Sequence, residues 1–202
     1  LSLANHFEIY NFEHYRMDSM KLVLLDQIRS VGPELVECMF KSNKLVLDQK
    51  MDLLVVISAA SQQIFSKQPQ VVCSFAKNSM LEFFEKSFLI SENSPTNITP
   101  DKNQMKNDFL EHLCIPLLSQ SIRHFQHFKR NHIMFLEKFL WLQGIVLNFF
   151  QHSLKYDRLV DKYLDLLHLT LKEETLLCQV PLQKAILIGT SVVLTAWPEA
   201  FT

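Results

Sequence analysis

An all-α fold follows from three features of the sequence. Glycine and proline are scarce, 3 and 7 in 202 residues, too few turn-formers for a many-stranded sandwich or barrel. Hydrophobic residues make up 48% and charged residues 20%, the balance of a globular chain able to bury a sizeable core. Apolar residues also recur at helical spacing through segments of fifteen to twenty residues joined by short links. Antiparallel helices linked in this way predict an α-solenoid of antiparallel helix pairs. There is no crisp internal repeat, so an irregular helical bundle stands as the structural alternative. Residues 1–202 read as one helical-repeat domain, and a chain opening on Leu1 is expected to be a fragment of a longer protein.

The elements follow in order. Met20, Val23, Leu24, Ile28 and Val31 form a stripe that predicts a helix over 17–31. Gly32-Pro33 is expected to end it, with Pro33 as the first residue of a short helix to about Phe40. Ser42-Asn43 offers a cap for the next helix, starting near Lys44, in which Val46, Leu53, Ile57, Ala60 and Ile64 align. Residues 66–78 are ambiguous around Pro69, and 79–90 predict an amphipathic helix. SENSPTNITPDKNQ (91–104) has two prolines, three asparagines and no apolar period, and predicts an exposed loop. Its Ser94-Pro95 and Thr99-Pro100 pairs are candidate proline-directed phosphosites.

Four strong helices are predicted next, near 106–127, 131–152, 156–171 and 180–196. The second is apolar almost all round, from Phe135 to Phe150, which marks a helix covered on several sides. Gly144 in its middle costs about 1 kcal/mol against alanine, and so predicts a close helix approach there. In the third, Tyr156, Leu159, Val160, Tyr163 and Leu167 share one side, while Asp157, Asp161 and Asp165 stand on another.

The formal net charge of −1 gives no global basic field for nucleic acid or an anionic membrane. The apolar stretches 139–150 and 185–197 fall short of a bilayer span, which needs about 18 residues or more. No signal peptide is visible in LSLANHFEIYNFEHY. Cys38, Cys73, Cys114 and Cys178 are far apart and predict reduced thiols rather than a disulfide framework or a thiolate zinc site. In the reducing compartment that such thiols imply, the sequon Asn97-Ile98-Thr99 is expected to be silent. There is no Gly-rich phosphate loop, GxSxG or HExxH. The sequence therefore predicts no enzyme, no cofactor and no metal site.

Two polar clusters are candidate partner-binding sites. In LVLDQKMDLL, Asp48 and Asp52 lie one helical turn apart, where like charges repel mildly. Asp48 falls in the early turns, where the macrodipole favours an anion. Arg16, Lys21 and Arg29 are candidate cations for a polar seam between helix pairs; a solvated first turn is the plainer reading. In RHFQHFKRNH, Arg123, Lys129 and Arg130 interleave with Phe125 and Phe128. That pattern suits single-stranded nucleic acid, an acidic protein surface, or merely a helix end capped by cations over buried phenylalanines. The last is favoured, and nucleic acid is the alternative function. His124, His127 and His132 have no carboxylate or cysteine in the segment to complete a metal site.

The stretch NKLVLDQKMDLLVVISAASQQIF (43–65) resembles the signature helix of the telomere length regulation protein family, with Asn43, Leu45, Gln49, Asp52, Leu54, Ala59 and Ala60 in the pattern. Lys50 stands where the family usually has arginine, keeping the charge but losing bidentate pairing. MKLVLLDQIRSVGPELVECMF looks like the preceding helix pair, and FLEHLCIPLL like the family's Phe-rich segment. The run from Val160 to Phe201 is similar to its late helices, so the likeness covers 17–66 and 106–201.

The resemblance implies the carboxy-terminal part of a HEAT-like helical-repeat scaffold in the three-subunit TTT co-chaperone complex. The family supports the maturation and stability of phosphatidylinositol-3-kinase-like kinases. Implied partners are the other TTT subunits and those kinases; the implied location is cytoplasmic, with the nucleus as a second compartment. The family's acidic, phosphorylated adaptor-recruiting linker has no counterpart in this sequence. Its large amino-terminal solenoid and final helices are expected to lie outside the fragment.

Overall fold

The computed structural model describes residues 10–40, 45–65, 100–131, 133–149 and 157–196, and every element among them is helical, with no strand. The helix predicted over 79–90 and the ambiguous 66–78 lie outside the described residues.

Helices α1 (Phe12–Asp26) and α2 (Ile28–Phe40) are divided at Gln27, not at Gly32-Pro33. The Gln27 carbonyl accepts from the Ser30 and Val31 amides and also from the Ser30 hydroxyl. Such a side-chain bond competes with the regular ladder and favours a boundary. Pro33 sits inside α2, where it removes one helical hydrogen bond. Packing holds the helix through it: Ile28, Gly32, Val36 and Met39 fall on one buried face. Val23, expected on the inner stripe, is exposed.

Helix α3 spans Leu47–Phe65. Its buried face carries Leu53, Leu54, Val56, Ile57, Ala60 and Ile64, as the periodicity predicts. Val46 is the exception: it precedes the helix and is 63% exposed. The expected cap at Ser42-Asn43 lies outside the described residues.

The segment predicted as one helix over 106–127 is four pieces. Helix α4 (Pro100–Phe109) starts earlier than expected, so 100–104 are helical rather than loop. Proline suits the first helical position, because its missing amide would be unpaired there anyway. A π-helical turn (Leu110–Cys114) then leads into α5 (Ile115–Arg123). Pro116 explains the turn: it cannot donate to the His112 carbonyl four residues back, and its ring would crowd that oxygen. The wider turn closes on an Ile115 amide bond to the Leu110 carbonyl. Gly32 of α2 packs here, where a Cβ would lie 2.8 Å from the His112 carbonyl oxygen. A bend at His124 separates α5 from α6 (Phe125–Asn131).

Helix α7 (Ile133–Phe149) is the centre of the second half. Phe135, Leu136, Phe139, Leu140, Leu142, Ile145 and Val146 are all buried on it. It packs most extensively on α10 (Val180–Ala196), and also on α3, α6 and α8 (Asp157–Leu171). That is why it is apolar all round. A short helix, α9 (Glu174–Leu177), joins α8 to α10. Asp157, Asp161 and Asp165 face solvent, as expected. Tyr163 of α8 is fully buried, and its hydroxyl donates to the Leu140 carbonyl at 3.2 Å. Burial away from water pushes its pKa up. Two glycines make room for it: a Cβ on Gly144 would lie 3.3 Å from the hydroxyl, and one on Gly189 only 1.9 Å. Gly144 thus marks a close helix approach, as its sequence position predicts.

Candidate partner-binding surfaces

The DQKMD stretch does four separate things. Gln49 Oε1 accepts from the Val46 amide at 3.2 Å, the reciprocal half of a capping box. Asp48 is exposed in the first turn of α3 and forms no ion pair among the described residues. There it complements the positive end of the helix. Asp52 faces α1 and accepts from Arg16 Nη2 at 2.7 Å. Arg16 also reaches Glu13, and its side chain is only 9% exposed. Burial opposes its charge, but the hydrogen bonds to Asp52 and Glu13 prevail and raise its pKa.

The seam therefore exists at Asp52, supplied by Arg16. Of the other candidate cations, Lys21 pairs with Asp18, and Arg29 of α2 pairs with Asp108 of α4. Arg29–Asp108 joins two elements far apart in the chain and was not legible in the sequence. Burial raises and the Arg29 and Gln104 hydrogen bonds lower the Asp108 pKa, with a net fall. Lys50 turns inward and is buried, and burial lowers its pKa.

The 123–132 cluster divides differently. Phe125 and Phe128 are buried. Phe128 stacks on Phe135 at 5.2 Å and meets Phe40 edge-on at 5.5 Å. Phe135 in turn stacks on Phe139. These rings join α2, α6 and α7 and offer no faces to bases. Arg123 is exposed in the last turn of α5, where a cation complements the helix dipole. The side chains of Lys129 and Arg130, and all of His132, lie outside the described residues. His124 stacks against Phe40 at 6.0 Å. Among the described residues no three His, Cys, Asp or Glu side chains are grouped to hold a metal.

Cys38, Cys114 and Cys178 form no disulfide among the described residues, and Cys114 is buried with its pKa raised by that burial; Cys73 lies outside the described residues. No described helix is long and apolar enough to cross a membrane.

In class, the described residues form an all-helical protein in which the pairs Arg16–Asp52 and Arg29–Asp108 join separate helices. Residues 1–61 match the family model of the telomere length regulation protein. The match takes in α1, α2 and most of α3, including both partners of the Arg16–Asp52 seam. No curated protein and no solved structure matches the chain.

Proposed function

We propose that this chain is a non-enzymatic scaffold that binds proteins, an α-solenoid of antiparallel helix pairs acting as the carboxy-terminal helical domain of the TTT co-chaperone subunit. Its partners are then the other TTT subunits and phosphatidylinositol-3-kinase-like kinases, whose maturation and stability it supports in the cytoplasm and the nucleus. The observation that carries this reading is the family match over residues 1–61. The likeness of the downstream segments to the family's later helices, and a sequence free of catalytic motifs, agree with it. The burial of Phe125 and Phe128 weighs against the single-stranded nucleic-acid reading, which needs exposed rings for stacking.

A paired charge reversal tests which kind of partner the basic cluster meets. Arg123→Glu with Arg130→Glu is expected to leave the helical signal intact, Arg123 being an exposed charge at a helix end. Weakened capture of an acidic protein partner would place this cluster on the scaffold's binding surface, and unchanged capture would leave the scaffold reading standing without it. Retention of a labelled single-stranded oligonucleotide is expected to be negligible. Retention that is abolished by the pair and falls with salt, at a log–log slope of about −0.7 per phosphate, would overturn the protein-scaffold reading in favour of nucleic acid.

A further inference from the structure

We draw no further inference here: the strongest candidate, the exposed apolar stripe of Val180, Leu187 and Leu194 on α10 beside the small notch between Met134 of α7 and Pro181 of α10, is an unpartnered helix face, and nothing in the structure shows what covers it.

Discussion

Gly189→Ala should be among the most damaging single-methyl additions available in this protein. The new Cβ would lie 1.9 Å from the Tyr163 hydroxyl oxygen, 2.9 Å from Cζ and 3.2 Å from Cε1. Real Cβ atoms essentially never approach within 3.0 Å, so something must move. The tyrosine ring is rigid, fully buried and tethered to the Leu140 carbonyl. Relief therefore requires that α8 and α10 separate. Overpacking of this kind costs roughly 1–3 kcal/mol. The better helix propensity of alanine returns about 1 kcal/mol, so a net loss of up to about 2 kcal/mol is expected by urea denaturation. Tyr163→Phe alone should cost about 0.5–1.5 kcal/mol through the lost hydrogen bond. In the double variant the closest clashing atom is gone, so the combined loss should fall short of the sum by about 1 kcal/mol. A stabilising Gly189→Ala, or strictly additive losses, would refute the claim that the glycine exists to seat the hydroxyl.

Three further perturbations test other joints. Ala60→Leu on the buried face of α3 should lower stability by about 1–3 kcal/mol, and an unchanged denaturant midpoint would contradict the packing. Arg16→Met should cost more than Asp52→Asn, because Arg16 serves both Asp52 and Glu13. Each loss should be about 1 kcal/mol, since Asp52 is partly solvated, and a double-mutant cycle with no coupling would dismiss the seam. Lys50→Met should stabilise the protein near neutral pH, because the buried ammonium pays a desolvation cost that methionine does not. The Lys50 pKa is lower folded than its ordinary 10.5. Between the two values the unfolded chain holds the proton and the folded chain does not, so the native protein gains stability as pH rises through that window. Lys50→Met should flatten that rise, and an identical pH profile in the variant would exclude the lysine as its source.

The legible part of this fold was the part that local pattern controls. The helices at 156–171 and 180–196 were readable because buried Leu159, Val160, Tyr163 and Leu167 recur at helical spacing while the intervening aspartates stay wet. Two like charges one turn apart, Asp48 and Asp52, call for a cation, and Arg16 supplies it to Asp52 alone, while Asp48 keeps the solvated first turn of the plainer reading. What escaped was set by contacts between distant residues. Gly32-Pro33 looks like a helix end, yet α2 runs through it because Gly32 must lie against the His112 carbonyl. The π turn follows from Pro116, whose presence signals a local disruption but not its form. Gly189 was invisible as a partner of Tyr163, since only the packing of α8 on α10 brings them together. Gln49 could have been found: a glutamine three residues after the residue preceding a helix is a recognised cap signal.

The proposed scaffold role of this chain is to bind proteins of the TTT complex. Size-exclusion chromatography of the chain mixed with the other two subunits tests it most directly. Co-elution in one peak is expected, displaced to larger size than any component alone and retained in moderate salt. Separate elution of the folded chain, with its helical signal intact by circular dichroism, would contradict it.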